Sequence, residues 1–375
     1  MAARACLFGT YAREHSATRL LRGTLEAAGY EVVECHVPLW ERTRDKLAGF
    51  FGPVSLAKRG AEYLRALPRL MARWRVVGRD ARIVVVGFNG QLDLLIARRL
   101  IDRRIPTVFA PLVTVSETVI EDRGVYRSGG VAARLAHWLD RATLAAADLV
   151  IADTDAHRRY MAETFGIASA RIGTLYLGAE PAFYRSPPAA GGAARSVLFY
   201  GQCMPLHGLD AVVEAARRLA GRLAITLVGT GPERPAVEAA ARGIPNLRFV
   251  DWVPYDELPS WIGAADLCLG IFGTSAKAAR VIPNKVYQCA AGGRAIVTGD
   301  TPALREVFAH GEQVWLVPPG DGSALAEALA ALAADGERRR ALGAGARALM
   351  VERFGPESQG RRLRRLIADA VPGAG

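Results

Sequence analysis

Only five cysteines occur in 375 residues (Cys6, Cys35, Cys203, Cys268 and Cys289), and no two form a CxxC pair. Thiols scattered in this way exclude a disulfide framework or a zinc knuckle and suit a reducing cytoplasm. No apolar run approaches the ~18 residues of a spanning helix. The opening stretch, MAARACLFGTYAREH, lacks a secretory core because its apolar run stops at Gly9. Neither GxGxxG nor GxxxxGK[ST] occurs, so the dinucleotide fingerprint and the P-loop are both missing. No His and Asp residues cluster at metal-ligand spacing. Asp153-Thr154-Asp155 has the spelling of a DxD metal motif. It follows the apolar run DLVIA where a helix begins, however, and Thr154 or Asp155 as helix N-cap is the better reading. No metal site is expected.

What is present is a hydrophobic fraction of 51% with 23% charged residues, the balance of a soluble chain that buries large cores. Disorder, collagen and coiled coil are excluded for the chain as a whole. At one domain per roughly 150 residues, two or three domains are expected. The formal charge is +11 and is uneven. Residues 1–185 hold 27 Lys+Arg against 19 Asp+Glu, a net of +8, whereas 186–375 hold 21 against 18, a net of +3. Lys58–Arg79 alone has seven basic residues and one acidic residue, a net of +6. Such a segment meets phosphates, on nucleic acid or on anionic lipid. Leu64, Leu67, Leu70, Met71 and Trp74 recur within it at helical spacing. It is therefore read either as a peripheral contact to an anionic membrane surface or as a packed helix, broken in two at Pro68.

Short apolar runs alternate with helical patterns. Ala5–Phe8 ends at Gly9, a helix with Leu20, Leu21, Leu25 and Ala28 on one face follows, and Tyr30–Val37 begins after Gly29. The rhythm returns at Ala81–Phe88, Ile105–Leu112 and Ala146–Asp153. Pro181–Arg195, rich in proline, glycine and small residues, breaks it as a linker. A second series follows, with strands at Ser196–Gly201, Leu223–Gly231, Leu247–Val253, Asp266–Phe272 and Ala295–Asp300, then helices from Ser323 to about Ala370. This predicts an α/β protein of two Rossmann-like domains whose parallel sheets face a central cleft.

Glycines stand directly after strands at Gly9, Gly87, Gly201, Gly229 and Gly231. Such positions let backbone pass close to a ligand, with the next helix N-terminus offering N–H groups to an anion. The densest candidate is GTSAKAARVIPNKVYQCAAGG, Gly273–Gly293, with Lys277, Arg280 and Lys285 and no acid. Asn284 or Ser275 is placed to cap a helix there, with Pro283 near its first turn. The pattern favours a phosphate cradle over a solvated loop. In the N-terminal half, Ser116–Gly124 gathers Glu117, Glu121, Asp122 and Arg123. Asp122, as an acceptor base, and His15, after the first strand, are the catalytic candidates. His36, His137, His157 and His310 show no partner pattern and read as structural.

The stretch VLFYGQCMPLHGLDAVVEAARRL (Val197–Leu219), then ITLVGTG, then Gly273–Thr298 resembles the C-terminal domain of family-4 glycosyltransferases. FGTY (Phe8–Tyr11), AGYEVVECHV, ADLVIADT and LYLGAEPAFY extend the resemblance into the N-terminal half. It implies the GT-B fold, with an acceptor-binding domain at 1–185 and a nucleotide-sugar-binding domain at 186–355. A C-terminal helix at 356–375 would pack back on the first domain. It also implies retaining, metal-independent transfer of a sugar from a nucleoside-diphosphate donor, UDP- or GDP-linked, with no cofactor beyond that substrate. The acceptor would be a glycan, a lipid-linked group or a small molecule. Gly9 and Thr10, Gly201, Gln202, His207, Gly229, Lys277, Arg280, Asn284, Lys285 and Gln288 are together the donor-binding candidates. This chain departs from the family pattern at four of these positions: Gln202 replaces the usual arginine, His207 the usual lysine, and Arg280 and Gln288 the paired glutamates. A titratable His207 would then make donor binding pH-sensitive. The replaced glutamates keep open a sugar-nucleotide epimerase or pseudo-transferase on the same fold. A nucleic-acid-binding protein rests on charge alone and lacks any recognition motif, so no nucleic-acid partner is expected. The expected location is the cytoplasm, at the inner face of the membrane if Lys58–Arg79 docks there.

Overall fold

The computed structural model describes residues 2–39, 53–186 and 192–371. They form two units, one comprising 1–176 with 356–375 and the other 177–355. The division falls at Tyr176/Leu177, so residues 177–185 belong to the second unit. Within the expected linker, Pro181–Arg185 forms a 3-10 turn, and residues 187–191 lie outside the described residues.

The first unit alternates strands and helices: β1 Arg4–Gly9, α1 Ser16–Ala27, β2 Glu31–His36, α2 Pro53–Arg73, β3 Ile83–Val86, α3 Gln91–Leu100, β4 Thr107–Phe109, α4 Val131–Ala146, β5 Leu149–Ala152, α5 Asp155–Phe165 and β6 Ile172–Thr174. All six strands pair in parallel in the order β2-β1-β3-β4-β5-β6. Alternate residues of the central strands are buried in different cores because successive side chains point to opposite faces. Cys6, Phe8, Val84 and Val86 meet Ala66, Leu70 and Trp74 of the α2 segment, with Leu94 of α3, Leu144 of α4 and Phe165 of α5. Ala5, Leu7, Ile83 and Val85 meet Leu21 and Leu25 of α1. α2 runs unbroken through Pro68 and closes on a π-helical turn at Trp74–Gly78. The break expected at that proline is therefore absent.

The second unit contains β7 Ser196–Tyr200, α6 Leu209–Arg218, β8 Ala224–Val228, α7 Arg234–Ala240, β9 Leu247–Val250, α8 Leu258–Ala264, β10 Leu267–Leu269, α9 Ala276–Arg280, α10 Asn284–Ala291, β11 Ala295–Gly299, α11 Pro302–Arg305, β12 Trp315–Val317, α12 Gly322–Ala334 and α13 Gly336–Phe354. Its sheet is again six-stranded and parallel, in the order β12-β11-β10-β7-β8-β9. α6 and α12 pack on one face around Val212, Ala216, Leu325 and Leu329. α10 holds Tyr287 between the rings of Phe308 and Phe354, at 6.0 and 5.8 Å.

The chain then returns to the first unit as α14, Pro356–Ala370. Leu363 and Ile367 are buried in its core beside Leu25. The Arg364 guanidinium donates to the Ala28 carbonyl at 2.8 Å, and that of Arg362 to the Thr174 carbonyl at 2.7 Å.

Candidate functional site

In open parallel sheets, ligands approach the carboxyl edge of the strands. At that edge of the second unit, three glycine turns interlock. Gly201 after β7 has φ 135° and Gly229 after β8 has φ 134°, a backbone region that strongly favours glycine. A Cβ on Gly229 would lie 1.9 Å from the Gly201 carbonyl oxygen, and one on Gly231 would lie 2.6 Å from the Cys203 backbone. Gly208, at φ 60°, brings the 3-10 turn Pro205–His207 against the backbone of Phe272 and Gly273. No side chain fits between these strands of backbone.

Into this floor project Lys285, the second residue of α10, and His207. Both are buried, at 5% and 7% relative exposure. Lys285 Nζ and His207 Nδ1 have no hydrogen-bond partner. A Cβ on Gly201 would lie 3.2 Å from Lys285 Nζ and 3.7 Å from His207 Cε1. The ammonium instead sits over the Phe199 ring, 3.6 Å from its centroid. Burial pushes Lys285 well below the lysine range. Burial, and then the neighbouring Lys285, push His207 well below the histidine range. A buried donor without a partner is costly, since the desolvation of the group is not repaid. Burial and Lys285 both hold His207 below the ordinary range expected for it, and a hydrogen bond to the Gln202 backbone works the other way.

Lys277 is buried and Arg280 half-buried on the short α9, whose N-cap is Ser275, with its hydroxyl accepting from Ala278 N at 3.2 Å. Asn284 is the first residue of α10 and Pro283 stands before it, with no side-chain cap. Gln202 is exposed. Gln288 is saturated by protein. Its Oε1 accepts from Tyr200 OH at 2.7 Å, and its Nε2 donates to Tyr255 OH at 2.6 Å and to Glu180 Oε2 at 3.4 Å. Tyr255 OH in turn donates to Glu180 Oε1 at 2.6 Å. A carboxylate from far outside the motif thus stands against the position where the family has one.

Two family models match this chain: "Glycosyl transferase 4-like domain" over residues 12–178 and "Glycosyl transferases group 1" over residues 194–335. The chain belongs to the family-4 glycosyltransferases of GT-B fold. Among curated relatives it is 28% identical over 253 residues to a D-inositol 3-phosphate glycosyltransferase of Thermobispora bispora, covering 60% of this chain and 56% of that one. It is 29% identical over 197 residues to a phosphatidyl-myo-inositol mannosyltransferase of Mycolicibacterium smegmatis, covering 50% and 49%. The chain spans about half the length of the curated relatives it matches. Two solved structures share the fold. Anabaena HepE in complex with UDP and glucose has TM-score 0.68, 15% identity and coverage of 98% and 99%. A sucrose-phosphate synthase from Thermosynechococcus elongatus has TM-score 0.69, 16% identity and coverage of 97% and 98%.

The edge of the first unit is built differently. Gly9, at φ 138°, lies against a carboxylate: a Cβ there would come 2.4 Å from Asp93 Oδ2. That oxygen accepts from Thr10 N at 2.8 Å and Thr10 Oγ1 at 3.1 Å, and Asp93 Oδ1 accepts from Tyr63 OH at 2.7 Å. Burial pushes the Asp93 carboxyl up, against these hydrogen bonds. His15 caps α1, its Nδ1 accepting from Ala17 N at 3.3 Å, and stacks on Phe88.

Asp122 is also corrected from a loop residue. Glu117–Asp122 is a π-helical turn in which Glu117 and Asp122 are both buried. The turn is entered through Leu112 at φ 65°, unusual for leucine and typical of functional loops. Asp140 of α4 anchors it by accepting from Val115 N at 2.9 Å and Ser116 N at 2.7 Å. His157, read as structural without a partner, lies fully buried between Asp153 Oδ1 at 2.6 Å and Glu117 Oε2 at 3.4 Å. Burial alone would lower its imidazole, but the carboxylates of Glu117 and Asp153 prevail and raise it to about 10. The Asp153-Thr154-Asp155 motif is thus spent on structure. Asp153 holds His157, Thr154 caps α5 through His157 N at 3.0 Å, and Asp155 accepts from Thr174 Oγ1 at 2.5 Å. Among the described residues no group of three His, Cys, Asp or Glu could hold a metal ion.

Proposed function

We propose that the protein transfers a sugar from a nucleoside-diphosphate donor to an acceptor hydroxyl, with retention of configuration and without a metal ion. The observation that carries this reading is the pair of buried nitrogens, Lys285 Nζ and His207 Nδ1, that have no protein partner at the Gly201 turn. A diphosphate supplies charged acceptors for the Lys285 amine and for His207 once each takes up a proton. Lys277 and Arg280 add positive charge, and the Gly201 and Gly229 turns bring backbone close enough to share the load.

In retaining transfer the acceptor hydroxyl attacks on the side the leaving group departs from. The bond from the anomeric carbon to the diphosphate oxygen breaks, the bond to the acceptor oxygen forms, and the diphosphate takes the hydroxyl proton. The protein's part is to stabilise charge growing on the leaving oxygen with donors already in place. UDP or GDP is the leaving group in this reading, and the UDP seen with HepE makes UDP the first probe. The curated relatives are named for inositol compounds, so an inositol-type polyol is the acceptor class to try first.

Thermal melting against a panel of nucleoside diphosphates tests the donor. A true ligand at ~100 times its dissociation constant stabilises by about 2.7 kcal/mol. With the matching sugar nucleotide, free nucleoside diphosphate should appear only when acceptor is added, and the product should keep the donor's anomeric configuration. A protein that no nucleoside diphosphate stabilises overturns the reading. Release without acceptor would point to the epimerase instead.

A further inference from the structure

Ten large apolar side chains are exposed among the described residues, and eight of them lie between Leu64 and Trp138: Leu64, Val76, Leu92, Leu100, Val125, Val131, Leu135 and Trp138. This segment contains α2, α3 and α4, which cover one face of the first sheet as a single layer. On α4 the inward residues are Ala133, Ala136, Asp140, Thr143 and Leu144. Its outward stripe is Val131, Leu135 and Trp138, at i, i+4 and i+7, with exposures of 83, 61 and 60%. Arg134 and Arg141 are exposed beside it. On α2 the core takes Tyr63, Ala66 and Leu70, leaving Leu64, Arg65 and Arg69 outside, and Arg75, Val76 and Arg79 are exposed just beyond the helix.

We propose that the outer surface of α2, α3 and α4 docks on an anionic lipid bilayer, with Trp138, Leu135 and Val131 entering the interface and the flanking arginines meeting lipid phosphates. The inference does not depend on the glycosyl-transfer reading. Arginine alone would suit nucleic acid equally. What favours lipid is apolar side chains, a tryptophan among them, standing outward between the cations, the arrangement of helices that lie in the plane of a membrane. The acids of the layer are few. Glu62 is paired with Arg59 at 3.2 Å and Asp80 with Arg4 at 3.3 Å, Asp102 accepts from Arg104 N, and the inward Asp93 and Asp140 are buried. No helix among the described residues is long and apolar enough to cross a membrane, so the contact is at the surface. The membrane contact expected from Lys58–Arg79 alone thus widens to a layer that includes the apolar stripe of α4.

Co-sedimentation of the full chain with vesicles tests this, comparing phosphatidylcholine alone with phosphatidylcholine plus phosphatidylglycerol. Binding should need the anionic lipid and fall as salt is raised. The double variant Leu135→Ser, Trp138→Ser should bind at least tenfold more weakly, and Arg65→Glu with Arg69→Glu should remove binding. All four positions are solvent-exposed, so melting temperature and nucleoside-diphosphate binding should not move, and the salt titration of the unmodified protein stands even if a variant fails to fold. No anionic-lipid dependence, or variants that bind like the parent, overturns the proposal. So does a dimer that the Leu135→Ser, Trp138→Ser variant dissolves, or salt-sensitive binding to random DNA without binding to vesicles.

Discussion

The two units end their first central strand with the same device and use it in opposite ways. Gly9 closes β1 at φ 138° and Gly201 closes β7 at φ 135°. At Gly9 the turn is filled from within: the Asp93 carboxylate accepts from Thr10 N, Thr10 Oγ1 and Tyr63 OH. At Gly201 the groups nearest the turn are the Lys285 ammonium and the His207 ring, whose Nζ and Nδ1 have no partner. The first turn is closed by a carboxyl group of its own unit, and the second faces two nitrogens without a protein partner. A glycine after a strand is therefore not in itself a ligand site, because what decides is whether the chain has already supplied the counter-group. By this comparison Gly9 and Thr10, proposed from the resemblance as donor contacts, serve the first unit's own structure in the free protein.

The largest effect is expected from emptying the satisfied turn. Asp93→Ala leaves Thr10 N and Tyr63 OH buried without an acceptor, at about 1–3 kcal/mol for each lost partner, partly offset by relief of the buried carboxyl. A net loss of roughly 2–4 kcal/mol is expected in denaturant melts. Affinity of the surviving folded protein for nucleoside diphosphate should stay within about twofold. An unchanged melt would mean that Asp93 is not what holds the Gly9 turn.

At the other turn the expected loss is of binding. Lys285→Met keeps the packing over Phe199 and removes the charge. A hydrogen bond to a charged group is worth roughly 1.5–3 kcal/mol, so nucleoside-diphosphate affinity should drop about tenfold to a hundredfold. The sign of the pH dependence follows from the same burial. The free pair is held below its ordinary protonation range, and a bound diphosphate favours the charged forms. Between the lowered pKa of the free site and the raised one of the complex, binding takes up a proton. Affinity should therefore fall as pH rises through that window and level off below it. Calorimetry in two buffers of unlike ionisation enthalpy measures the uptake. It should be smaller in Lys285→Met, and the difference between the two proteins cancels the titration of the phosphate itself. Equal uptake in both proteins would remove Lys285 from the site.

How much of this was readable without coordinates depends on the reach of each interaction. Most strands and their parallel sense were, because strand alternation, glycine stops and amphipathic helices are local patterns, but the short edge strands Ile172–Thr174 and Trp315–Val317 were not. The clustering of Lys277, Arg280 and Lys285 without an acid was readable too, since it is a run of the chain. That Lys285 turns inward over Phe199 was not, for the contact spans 86 residues. The bonds from Thr10 to Asp93 span 83 residues and that from Gln288 to Glu180 spans 108, and spacing carries no signal for either. His157 was rightly read as structural, but its partners were missed. Asp153, four residues away, was a visible partner, but Glu117 reaches it only through the π-helical turn.

The smallest expected effect also separates resemblance from structure. Gln288 stands where the family has a glutamate, and a reader of the motif alone would expect Gln288→Glu to restore donor contacts. The network says otherwise. Gln288 Nε2 is a donor to Tyr255 OH and to Glu180 Oε2, and a carboxylate has no hydrogen to give. It would also set a second negative charge beside Glu180, at the 3.4 Å where the amide now donates. Like charges at that distance favour the neutral acid, so the introduced carboxyl should have a raised pKa. Protonated, it can still donate to one partner; ionised, it repels Glu180. Gln288→Glu should therefore destabilise by about 1 kcal/mol at pH 8 and by less at pH 5, with no gain in nucleoside-diphosphate affinity. Melts at the two pH values and one binding titration are sufficient. Tighter binding at unchanged stability would mean that Glu180 yields its place to the donor, and that the family's carboxylate is absent from this chain for reasons outside the Tyr200–Gln288–Tyr255–Glu180 network.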